Sequence, residues 1–244
     1  MVNIDTVYQK VLSISSKEQR GYITPQEFNL LANKAQNEIY DSYFHDFKTL
    51  DMKPKVDQTH ADNKSLLEAK LHPFMKSQYV ATQNYSAVQA NEASFTLNTD
   101  VYRIEWVRSA RTGLESQVLN EITMKEHEEF EEHPLTKNST SSWNPAWFRG
   151  PSVGSISITG PSISSSACTV YYYKIPLSPK WGYVVVNGEA LYSSTASTNF
   201  ELHVSAEEVL VAKILQLAGV VIQKPELTQA GGGMEQVINQ TQND

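Results

Sequence analysis

At 244 residues, with 40% hydrophobic and 10% aromatic side chains, the chain can build a packed core and is long enough for one large domain or two small ones. Its formal net charge of -7 argues against wrapping nucleic acid, which needs a basic stripe against the phosphates, and its single cysteine, Cys168, excludes an internal disulfide and fits a reducing compartment. No run nears the roughly 18 apolar residues of a membrane span, and the start MVNIDTVYQK has no apolar signal core, so a soluble, unexported chain is expected.

Residues 4–14 set Ile4, Val7, Tyr8, Val11 and Leu12 at helical spacing, which predicts a short amphipathic helix closed near Gly21. Thr24-Pro25-Gln26-Glu27 is a capping box with proline at the first helical position, where its missing N–H has no partner to lose. Beyond it Phe28, Leu31, Ala32, Ala35, Ile39 and Tyr43 recur every three or four residues, while Asn29, Asn33, Lys34, Asn37 and Glu38 face away. That spacing predicts a helix over 25–47. Residues 48–62 read as polar and irregular, and a short helix through Leu66, Leu67 and Leu71 ends before Pro73.

From 77 to 202 the chain turns to β-branched and aromatic residues, with strands expected at 79–81, 94–97, 102–107, 153–158, 167–174 and 183–186. Gly113, Gly150, Gly154, Gly160 and Pro161 punctuate them, and Asn187-Gly188 is the favoured pair for a type I′ hairpin. Only Ile122–Glu132 looks helical in this stretch, and Cys168 reads as a small buried hydrophobe. Ser205-Ala206-Glu207-Glu208 forms a second capping box, leading into a helix with Val209, Leu210, Ile214, Leu215, Leu217 and Ala218 on its apolar face and its end at Gly219. Pro225 opens a last helix that Gly231, Gly232 and Gly233 interrupt, and the tail from Glu235 to Asp244 is polar enough to order only on a partner. The expected fold is α+β. Terminal helices, in residues 1–76 and 203–244, pack as one layer and carry an antiparallel β-rich insert over 77–202.

Few groups suggest chemistry. In Glu126-His127-Glu128-Glu129-Phe130-Glu131-Glu132-His133, Glu129 and His133 lie one helical turn apart, but the spacing is not HExxH. Carboxylates this dense make a solvated face first and a contact for a basic neighbour second. The latter marks Glu126, Glu128 and Glu129 as candidate interface residues, and a metal hydrolase built on His127, Glu129 and His133 is the enzymatic rival. No histidine has a nucleophile-elbow context, and Gly231–Gly233 lack the Lys and Ser or Thr of a phosphate loop, so they read as a joint. Trp143, Trp147 and Trp181 belong to an aromatic group that serves either as core or as exposed interface anchors. No cofactor or metal site is expected. Charged residues at 19% fall below the usual ~25%, which suits a subunit whose surface is covered by neighbours.

The segments DTVYQKVLSISSKEQRGYITPQEFNLLANKAQNEIYDSYF, PLSPKWGYVVVNGEALY and NFELHVSAEEVLVAKILQLAGVVIQKPEL resemble virion proteins of crAss-like podoviruses and related phages of marine bacteria. The resemblance implies a non-enzymatic structural protein of the virion, assembled in the bacterial cytoplasm. It would form a ring, usually of twelve copies, in the head-to-tail connector, against the portal protein and neighbouring ring or tail proteins, with DNA passing through unread. The alternative from a different class is a tail decoration or receptor-binding protein whose aromatic β region grips glycans.

Overall fold

A computed structural model of the chain describes residues 1–17, 23–52, 58–80, 86–89, 92–110, 117–133, 145–150, 152, 154–160, 167–221 and 236. The fold is α+β, as expected, and its helices are α1 (Ile4–Lys17), α2 (Pro25–Met52), α3 (Gln58–Leu71), α4 (Met124–Glu132) and α5 (Glu207–Val221). Two compact units divide the chain: Met1–Pro73 with Pro176–Asp244, and Phe74–Ile175. The residues 176–202 therefore belong with the terminal helices, not with the insert to which their β character had assigned them, and the insert begins at 74. No helix among the described residues is long and apolar enough to cross a membrane.

In the helical unit, α1 buries Ile4, Val7, Tyr8 and Val11. The capping box at α2 forms as its sequence requires. The Glu27 N–H donates to Thr24 Oγ1 at 3.3 Å, and the Thr24 N–H donates back to the Glu27 carboxylate at 2.9 Å. These Thr24 donors hold the Glu27 carboxyl below its ordinary range. Helix α2 runs on to Met52 and α3 starts at Gln58, so much of 48–62 is helical. Lys48, Thr49 and Asp51 show no apolar period. What ties the two helices there is tertiary: Lys64 lies 3.9 Å from Asp51 and 5.3 Å over the Phe47 ring.

Helix α5 packs on α1 and α2, so the two ends of the chain do form one helical layer. Leu210, Val211, Ile214, Leu215 and Ala218 are buried in it. Lys10 bridges to Glu207 at 2.7 Å and also to Glu208, which raises its pKa, and Lys213 reaches Glu38 at 3.2 Å. The capping box expected at Ser205 is absent. Val204–Ala206 instead form a 3-10 turn capped by His203 Nδ1, which accepts the Ser205 N–H at 3.3 Å. The same ring meets the Ser205 hydroxyl at 2.9 Å, so the side chain meant for the helix is already engaged. Helix α5 passes through Gly219 to Val221.

In α3's last turn, Lys70 is buried with its ammonium 5.6 Å over the Tyr43 ring. Burial lowers the Lys70 pKa and pushes that of Tyr43 up to about 12.

The second unit holds β1 (Met75–Val80), β2 (Ser86–Gln89), β3 (Glu92–Thr96), β4 (Val101–Ala110), β5 (Gln117–Glu121), β6 (Ala146–Arg149), β7 (Ser155–Thr159) and β8 (Ala167–Lys174), in the sheet order β1-β8-β4-β5-β6-β7-β3-β2. Every junction is antiparallel except β5–β6. Helix α4 lies between those two strands in sequence, and a crossover of this kind is what parallel neighbours need. Val107, Leu119, Trp147, Ile158 and Val170 form the centre of its core, with Cys168 buried among them as expected. At one end, Tyr172 donates to Asp100 at 3.0 Å and Lys76 donates to the other carboxylate oxygen at 2.8 Å.

The Lys76 hydrogen bond, with the Tyr172 hydroxyl, holds the Asp100 pKa below 3.8. A depressed carboxyl stabilises the fold above the unfolded pKa and stops doing so as pH falls through the folded one. Asp100→Asn should therefore lower stability near neutral pH by only about 0.2–1 kcal/mol, because the pair is partly exposed. The gap from wild type should start to narrow as pH falls below about 3.8 and shrink further as the folded carboxyl protonates, followed by urea titrations; a gap that stays constant through the acid range would assign the effect to packing.

Candidate assembly interface

The segment PLSPKWGYVVVNGEALY lies in the helical unit, and polar contacts far apart in sequence fix its base. Gln36, buried on α2, donates to the Leu177 carbonyl at 2.8 Å and accepts the Glu201 N–H at 3.1 Å, while the Glu201 carboxylate accepts the Leu177 N–H at 2.8 Å. Asn29 clamps the Trp181 backbone, accepting its N–H at 2.7 Å and donating to its carbonyl at 3.2 Å. The Trp181 indole N–H donates to Asp5 at 2.9 Å, and its ring packs 4.2 Å from Tyr8. Asn29 had been expected to face solvent.

From this base rises a hairpin of β9 (Tyr183–Val186) and β10 (Glu189–Tyr192), a separate two-stranded sheet. Asn187 at φ 53 and Gly188 at φ 87 make the expected I′ turn, in which both central residues need positive φ. Opposed residues share a face. Tyr183 with Tyr192 and Val185 with Ala190 form one face, Val184 with Leu191 and Val186 with Glu189 the other. Tyr183 stacks on Trp181 and Tyr192 packs tilted against it, each ring 5.8 Å away, so the first face is anchored at its base. The second leaves Val184, Val186 and Leu191 in solvent, and on the anchored face Val185 is 62% exposed.

The chain closes the base by folding back, with Lys180 bridged to Thr198 and the Ser197 hydroxyl accepting the Gly182 N–H at 2.9 Å. A Cβ at Gly182 would lie 2.4 Å from the Ala196 backbone. Gly182→Ala should accordingly cost about 1–3 kcal/mol through forced displacement of that loop. A drop in thermal midpoint would report it; an unchanged midpoint would mean the loop yields freely.

The residues singled out from sequence are not brought together. Trp181 and Trp147 are each 2% exposed, so both are core residues and not surface anchors. Alternation alone did not reveal which aromatic faced inward. Glu126 completes an unforeseen capping box with Thr123, whose N–H and hydroxyl hold its pKa low. Glu129 pairs with Lys125 at 3.4 Å, Glu128 is exposed, and all three remain on a solvated face. His127 turns inward, stacked on Phe148 at 4.3 Å and facing Glu92 at 3.8 Å, which takes it away from Glu129. No group of three or more His, Cys, Asp or Glu among the described residues could hold a metal.

Trp143, Gly231, Gly232, Gly233, the helix after Pro225 and the tail from Glu235 lie outside the described residues, Gln236 apart. The β unit has an open cavity of about 560 Å³ lined by Asn98, Tyr102, Arg149 and Ser152 beside Leu97 and Ile156. The hairpin is the feature sequence reasoning missed as a surface: three consecutive valines signalled a strand, and nothing local signalled that it would stand uncovered. The chain matches no protein-family model and none of the curated proteins.

Proposed function

We propose that this chain is a non-enzymatic structural subunit that works in an oligomer, as a ring in the head-to-tail connector of a tailed phage. The observation that carries the oligomer is the β9–β10 hairpin: its base is locked by Gln36, Asn29 and Trp181, while Val184, Val185, Val186 and Leu191 stand in solvent. A lone two-stranded hairpin is marginal in water, and clustered exposed apolar side chains mark a contact surface. The connector, the portal as neighbour, twelve copies and free passage of DNA follow from the resemblance of this hairpin segment and the two terminal segments to phage virion proteins.

The cavity beside Tyr102 and Arg149 favours a second reading, a tail decoration that binds glycans. Quantitative mass spectrometry of purified particles separates the two. The ring reading expects about one copy of this chain per portal subunit; a count of three per tail fibre, or absence from the particle, would overturn it.

A further inference from the structure

Strand pairing within the hairpin fixes where its backbone points. With a two-residue turn, Val186 and Glu189 exchange hydrogen bonds, and the alternation continues through Val184 with Leu191 to Gly182, whose carbonyl accepts the Ser193 N–H at 2.9 Å. The backbone groups of Tyr183 and Val185 therefore point out from β9, and those of Ala190 and Tyr192 from β10. Among the described residues the sheet has only these two strands, and none of them pairs with either edge. Natural proteins guard such edges with lysine, proline or a bulge. Here β9 is Tyr-Val-Val-Val with no charge, and β10 carries only Glu189.

From this we infer that copies of the chain join by strand addition, the β9 edge of one hairpin pairing antiparallel with the β10 edge of the next. The inference rests on the oligomeric reading above and names its contact. Charge selects a second copy as occupant. With 27 acidic against 20 basic residues, two copies carry the same net sign, and a self-contact is least opposed along β9 and β10, whose one charged side chain is Glu189. A partner of opposite charge would instead gain most at the acidic faces.

Geometry selects head-to-tail addition. A twofold β9–β9 pairing leaves both β10 edges open, whereas head-to-tail pairing covers both edges of every copy once the ring closes. Rotational symmetry about an axis along the hairpins keeps their turns level. Val185 then faces Ala190 and Tyr183 faces Tyr192 of the next copy, with Glu189 opposite Val186 and no like charges opposed. Val184, Val186 and Leu191 merge into one apolar band.

The test is the mass of the full chain in solution by light scattering. Wild type should be a multimer of the 27.4 kDa chain. Val185→Pro removes an N–H that points away from β10, so the internal ladder survives. It should fall to monomer mass with an unchanged circular dichroism spectrum, as should Val185→Lys, while Val185→Thr stays assembled. Because Cys168 is buried, cysteines placed at the edge report alone. Val185→Cys mixed with Ala190→Cys should cross-link. If Val185→Pro and Val185→Lys both stay multimeric, edge pairing is overturned and the oligomer survives. If Val185→Cys cross-links by itself, head-to-tail addition is overturned. A wild type that is monomeric at every concentration overturns the inference and the oligomeric reading together.

Discussion

Trp181→Ala is expected to destabilise the helical unit by about 3–5 kcal/mol, the range for removing a fully buried large aromatic. Its ring is 2% exposed and lies at the junction of Tyr8, Tyr183 and Tyr192, and its indole N–H is the donor that Asp5 accepts. Against total stabilities of about 5–15 kcal/mol for native domains, such a loss leaves much of the population near unfolding at 37 °C. Two effects should separate. Trp181→Phe keeps most of the packing and loses the hydrogen bond to Asp5, costing about 1–2 kcal/mol for the bond and the ring difference. Both variants can be read by urea unfolding followed by circular dichroism. The hairpin stands on this ring, so Trp181→Ala should also weaken the proposed assembly, visible as lost multimer mass under conditions where the chain is still folded. Equal stability of Trp181→Ala and wild type would contradict the packing described.

Gln36→Leu is expected to cost about 2–6 kcal/mol, since it leaves the Leu177 carbonyl and the Glu201 N–H without their side-chain partner, and each stranded group costs about 1–3 kcal/mol. Gln36 is fully buried, and its amide uses one donor and one acceptor on backbone groups 141 and 165 residues away. Leucine fills nearly the same volume, so the loss isolates hydrogen bonding from cavity formation. Amide hydrogen exchange at Glu201 should quicken markedly in the variant. Unchanged exchange together with an unchanged urea midpoint would mean that water replaces the amide without penalty.

These contacts mark the limit of what the sequence makes legible. The Thr24 capping box and the apolar spacing of α1, α2 and α5 are local signals, and all three helices form, although α2 runs on to Met52 and α5 starts without the Ser205 box and passes Gly219. The Asn187-Gly188 turn is equally local. Asn29 and Gln36 are not: polar residues on a helix ordinarily face water, and only the return of residues 176–201 from far along the chain turns both inward.

Strand β5 buries Leu119 alone, leaves the adjacent Val118 exposed and is otherwise polar, so no alternation betrayed it. With β5 unseen, the parallel β5–β6 pair and the crossover through α4 were unseen as well. The His203 cap illustrates a competition between neighbours, because either His203 or Ser205 has the chemistry to cap that turn and the backbone decides between them. The proposed contact surface was the least legible part. Tryptophans drew attention for their size, and the fold puts Trp147 and Trp181 inside while leaving smaller valines outside.

Cryo-electron microscopy of intact particles bears most directly on the assignment of this chain to a connector ring. A connector ring requires density for the chain as a closed ring on the particle axis, next to the portal, with the β9–β10 hairpins in contact from copy to copy. Density for the chain at the tip of a tail appendage, or particles that lack it altogether, would contradict it.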